Sequence, residues 1–145
     1  VGALEKPRPR IALGQALTGV ATAAIDVSDG LLADLGHIGE RSGLAADIRL
    51  VQLPHLRDLA GSGEAYDADL RRIALECQLA GGDDYELCFT TPPGATQAVA
   101  AIAARLELPL WCIGAMVAGT PGAVTVYDPD GQPVAFDNKG YDHFA

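Results

Sequence analysis

Two acidic runs and an aromatic tail hold the residue types best suited to chemistry. The first run is Asp26-Val27-Ser28-Asp29-Gly30, which closes an apolar stretch. Asp26 follows Ala24 and Ile25, and a carboxylate in an apolar strand is costly without a cation or hydrogen-bond donors. Asp29 falls at a helix start, beside free backbone amides and the positive end of the helix dipole. Two carboxylates flanking a hydroxyl there can hold Mg²⁺ and a phosphate together. The metal takes carboxylate oxygens and waters, while Ser28 and the amides meet phosphate oxygens. Plain helix capping, with Asp26 bonded to a neighbouring turn, is the alternative for this run.

The second run is Gly81-Gly82-Asp83-Asp84-Tyr85-Glu86-Leu87. Its paired glycines permit positive φ or the close approach of a ligand to the backbone. Asp83, Asp84 and Glu86 repel one another, and a cation or a basic partner relieves that repulsion; a solvated acidic turn is the alternative. The third segment, Gly140-Tyr141-Asp142-His143-Phe144, can stack an aromatic ring on a flat ligand or dock it onto the core.

These runs need elements to position them. Hydrophobic spacing predicts a helix over Ile11–Leu17 and a buried strand over Thr22–Val27, broken by Ser28-Asp29-Gly30. Leu31, Leu32, Leu35 and Ile38 then recur at helical spacing, with Asp34, His37, Glu40 and Arg41 assigned to the opposite face. Ser28 is the expected N-cap and Ser42-Gly43 the stop. A strand is expected over Leu44–Leu50, helices over Asp67–Leu79 and Ala95–Leu106, and strands over Tyr85–Thr90, Leu110–Val117 and Val124–Tyr127. Asp128-Pro129-Asp130-Gly131 is a hairpin turn into a last strand, Pro133–Phe136. The expected fold class is α+β: a layered domain with a mixed sheet packed against helices.

Composition narrows the function classes. The chain has 145 residues, the size of one domain, and 49% hydrophobic with 20% charged residues is globular composition. Ten Lys+Arg against nineteen Asp+Glu give a net charge of −9, which argues against nucleic acid or an anionic membrane surface as partner. The uncharged stretch Leu108–Tyr127 is twenty residues long, but its prolines and glycines fit two strands better than a spanning helix. Cys77, Cys88 and Cys112 lack any Cys-x-x-Cys spacing, which argues against zinc; they are expected to be buried, reduced thiols of a cytoplasmic protein. Phosphate-loop, dinucleotide-turn, nucleophile-elbow and His-Glu-x-x-His signatures are all missing.

Taken in order and at their separations, the Asp26–Gly30, Gly81–Leu87 and Gly140–Phe144 segments resemble the C-terminal half of the thiamine-monophosphate kinase family. That family lies in the aminoimidazole ribonucleotide synthetase-like superfamily. The opening Pro-Arg-Pro-Arg-Ile-Ala-Leu-Gly is similar to its inter-domain junction. The resemblance implies residues 1–10 as a linker remnant and residues 11–145 as the C-terminal domain of a two-domain kinase, folded like the corresponding domain of aminoimidazole ribonucleotide synthetase. It implies ATP- and Mg²⁺-dependent phosphorylation of thiamine monophosphate to thiamine diphosphate by direct in-line transfer. By position, Asp26 and Asp29 would bind Mg²⁺, Ser28 would touch ATP, and Asp83 and Tyr141 would meet the substrate. Asp83 stands where the family usually has Glu, one methylene longer. The family is homodimeric, and its N-terminal domain carries most metal ligands, so this segment alone is expected to be inert. Another ATP-using synthetase of the superfamily and a noncatalytic binding module are the rival expectations.

Overall fold

The computed structural model describes residues 10–54 and 86–134. Helix α1 (Ile11–Ala16) leads into strand β1 (Ala23–Asp26), helix α2 (Leu31–Ser42) and strand β2 (Ala45–Arg49). After a 3₁₀ turn at Leu50–Gln52 come strand β3 (Leu87–Thr90), helix α3 (Thr96–Leu106), and strands β4 (Gly114–Val117), β5 (Val124–Tyr127) and β6 (Pro133–Val134). The expected helix over Asp67–Leu79 lies outside the described residues.

The strands form a β1–β3 antiparallel pair and a four-stranded mixed sheet in the order β4-β2-β5-β6. Strand β2 is antiparallel to β4 and parallel to β5. The two strands expected from the long uncharged stretch therefore form, but β2 lies between them. The α+β class with a mixed sheet is the observed architecture.

The four-stranded sheet is held by two side-chain rows that follow the period-two pleat. Met116, Ala46 and Val124 make one row; Gly114, Ile48, Val126 and Val134 make the other. Ile48, 0% exposed, is the centre of a core that includes Leu32 and Leu35 of α2, with Leu50 and Leu53 beyond the strand. Gly114 sits opposite Ile48, where a Cβ would lie 1.9 Å from the Asp47 carbonyl oxygen. Only a glycine permits that approach.

The β1–β3 pair divides two apolar clusters. Cys88 packs on one side with the α2 core. Leu87 and Phe89, its neighbours along the strand, pack on the other side with Leu13, Leu17 and Ile102 of the α1 and α3 region. Helix α2 touches β1, β2, β3 and β5, so it ties the pair to the larger sheet.

Several expectations need correction. Strand β4 starts at Gly114 rather than Leu110, because Leu108 and Leu110 are drawn into the cluster around α1 and α3 before the chain enters the sheet. Cys112 is exposed rather than buried; Cys88 is half-buried, and Cys77 lies outside the described residues. Ser42-Gly43 does stop α2, with Gly43 left-handed at φ 68°.

Candidate active site: the acidic turn between β1 and α2

Strand β1 delivers Asp26 to one end of the β1–β3 pair, where Asp26 lies opposite Leu87. The ladder continues one step further, as the Val27 amide donates to the Glu86 carbonyl at 2.8 Å. The last acid of the second run therefore lies beside the first run. Glu86 also finds a basic partner. Arg10 donates to both its carboxylate oxygens, from Nε at 2.9 Å and from Nη2 at 2.5 Å. This pair ties the residue just before α1 to the residue just before β3.

Asp26, Ser28 and Asp29 are all exposed. Asp26 is thus not the buried carboxylate that its apolar neighbours suggested: exposure alternates along β1, and Asp26, like Ala24, is exposed. Ser28 does not cap α2. Gly30 occupies the N-cap with φ 107° and ψ 148°, and no side chain caps the helix there. That conformation belongs essentially to glycine, and it turns the chain from β1 into α2.

The residue that organises the turn is Asp34, which the helical pattern had placed on the outer face. It is 2% exposed. Its Oδ2 accepts the Ser28 amide at 2.8 Å and the Asp29 amide at 3.1 Å. Two of the amides expected to meet phosphate are therefore already engaged. Asp34 was legible from spacing after all: it lies three residues after Leu31 and four before Ile38, on the apolar face of α2. An acid on that stripe needs buried donors, and the preceding turn supplies them. A carboxylate reaching back to amides before its own helix works as the acid of a capping box does, one step further upstream. Cys88 packs nearby from β3, and burial first, then the Asp34 charge, push its thiol up to about 11.

Among the described residues no three His, Cys, Asp or Glu side chains converge to hold a metal. Asp83 and Tyr141 lie outside the described residues, as do Asp84 and His143. What the turn presents is two exposed carboxylates and a hydroxyl within four residues. That donor set suits Mg²⁺, which keeps several waters and takes one or two protein carboxylates alongside substrate phosphates.

An α+β domain with a mixed sheet is also what the chain is similar to among solved structures. No protein-family model matches it. It is 46% identical over 144 residues to the thiamine-monophosphate kinase of Salmonella typhimurium, covering 97% of this chain and 41% of that protein. The crystal structure of the thiamine-monophosphate kinase from Stenotrophomonas maltophilia K279a superposes with a TM-score of 0.70 at 45% identity, covering 88% of this chain and 37% of that one. AaThiL complexed with AMPPCP and TMP superposes with a TM-score of 0.61 at 30% identity, covering 95% of this chain and 38% of that one. The chain spans about two fifths of the length of the curated relatives it matches. It belongs to the thiamine-monophosphate kinase family, as the C-terminal part.

Proposed function

We propose that the chain is the C-terminal half of a kinase that transfers the γ-phosphoryl group of ATP to thiamine monophosphate, yielding thiamine diphosphate and ADP. What carries this reading is identity of 46% across 97% of the chain, with the acidic turn built and exposed. The related AaThiL complex holds AMPPCP, an ATP analogue, together with TMP.

In this reading an oxygen of the acceptor phosphate bonds to the γ-phosphorus as the bond to the β,γ-bridging oxygen breaks. No protein nucleophile is needed, so catalysis rests on positioning and on neutralising charge. Asp26 and Asp29 would hold Mg²⁺, which supplies charge stabilisation to the phosphates. Ser28 would donate its hydroxyl to ATP, and Asp83 and Tyr141 would receive the thiamine-bearing substrate. The remaining metal ligands would come from the N-terminal domain, joined through the Pro-Arg-Pro-Arg segment. Cytoplasmic location and assembly as a homodimer go with this reading.

The test is ADP release by the complete kinase with Mg²⁺-ATP, with and without thiamine monophosphate. Asp26→Ala and Asp29→Ala should each lower the acceptor-dependent rate by about 100-fold or more, as loss of a fixed electrostatic stabiliser does. Unchanged rates in both variants would remove the turn from the active site.

A further inference from the structure

We propose that Asp34 is the positioning residue of the active-site turn: from beneath, one carboxylate oxygen holds the Ser28 and Asp29 amides and so fixes where the side chains of Ser28 and Asp29 stand relative to Asp26. The proposal rests on the kinase reading of that turn, and it adds a residue with no ligand contact of its own.

Three observations carry it. Asp34 is the buried charged residue of the described core, at 2% exposure. A carboxylate so placed persists only when its lone pairs are engaged, and both bonds from Oδ2 run to the turn, at 2.8 and 3.1 Å. Its own amide donates to the Gly30 carbonyl at 3.0 Å. The segment from Ser28 to Asp34 is thus closed into a loop by bonds at both ends of one residue. Finally, among the described residues the turn has no other side-chain hydrogen bond. Gly30 receives no cap, and no side chain other than that of Asp34 bonds the Ser28 or Asp29 backbone among the described residues.

The arrangement also selects the charge of what the turn holds. With two amides turned inward to a carboxylate, the exposed side offers oxygen atoms and negative charge rather than an anion cradle. A cation is favoured there over a bare phosphate, and a phosphate would arrive with its cation.

The experiment uses the complete kinase chain carrying Asp34→Ala or Asp34→Asn. Amide exchange at Ser28 and Asp29 is followed by NMR, as is the Mg²⁺ concentration that half-shifts the Asp29 amide. Turnover is measured in parallel. Asp34→Ala should speed exchange at both amides by about tenfold or more. It should raise the Mg²⁺ midpoint about tenfold or more, the range seen when a partner of metal ligands is lost. The rate constant kcat should fall, while KM for thiamine monophosphate stays within about twofold, because that substrate is bound elsewhere. Asp34→Asn should keep exchange within about threefold of the parent, since a single amide oxygen can accept both bonds.

A folded Asp34→Ala protein with unchanged exchange and an unchanged Mg²⁺ midpoint would overturn the proposal. Should that variant not fold, Asp34→Glu keeps the charge but moves the acceptor by one methylene, and it must still raise the midpoint; an unchanged midpoint overturns the proposal equally. Lack of thiamine-monophosphate-dependent turnover in the unsubstituted protein would instead defeat the kinase reading, and the amide measurements would still decide on Asp34.

Discussion

At the scale of residues, the acidic turn and the thiol behind it differ in how they respond to solvent. Asp26, Ser28 and Asp29 are exposed and available, whereas the Cys88 thiol is pushed up to about 11 by burial and then by Asp34. The sign of the consequence is fixed. Between the ordinary thiol value of 9.0 and about 11 the unfolded chain releases the proton and the native chain keeps it, so stability falls as pH rises through that window. Cys88→Ala should therefore flatten the alkaline limb of stability against pH, measured by urea unfolding between about pH 8 and 11; parallel curves for parent and variant would contradict the assignment. The same residues show what spacing reveals and hides. The acids at Asp26 and Asp29 stood out as candidates from type and order alone. Their exposure was not legible, since local pattern does not say how far the clusters packed on the two faces of the β1–β3 pair reach toward the end of β1. Asp34 was visible on the apolar stripe of α2 but was read as a surface charge, because acids on helices usually are.

At the scale of elements, helices α1, α2 and α3 and strands β1, β2 and β5 form close to where hydrophobic period and turn residues placed them. Local signals suffice when pattern and packing agree. They failed over 110–113, where Leu110 is claimed by the cluster around α1 and α3 and the strand starts late. Pairing order was likewise illegible: nothing between β4 and β5 announces that β2 inserts between them. That insertion makes Gly114 critical. Gly114→Ala would put a methyl 1.9 Å from the Asp47 carbonyl oxygen, so β2 and β4 must separate. The expected loss is about 3 kcal/mol or more by chemical denaturation; a loss under about 0.5 kcal/mol would mean that the strands are not so close. The Arg10–Glu86 pair is a different kind of tie. Both side chains are partly exposed, so Arg10→Ala should change stability by no more than about 1 kcal/mol in the same assay. A larger loss would mark the pair as a structural lock.

At the scale of the whole molecule, the described residues form one α+β body in which α2 links the two sheets, and the acidic turn sits where α2 begins. Among those residues no helix is long and apolar enough to cross a membrane. Family membership was legible because three short runs recur in a fixed order. The completeness of the site was not, because in the proposed reading Asp83, Tyr141 and a further domain would share it. Two exposed carboxylates are too few for the proposed reaction, which brings a triphosphate and a phosphate acceptor together. The segment of 145 residues is accordingly expected to show no turnover by itself. The most direct test is formation of thiamine diphosphate from thiamine monophosphate and Mg²⁺-ATP, followed by ³¹P NMR, for the complete kinase and for this segment. The complete kinase is expected to form a new diphosphate signal in step with ADP, and the segment to form none. Thiamine monophosphate left unchanged by a folded complete protein that hydrolyses or transfers from ATP to another acceptor would contradict it.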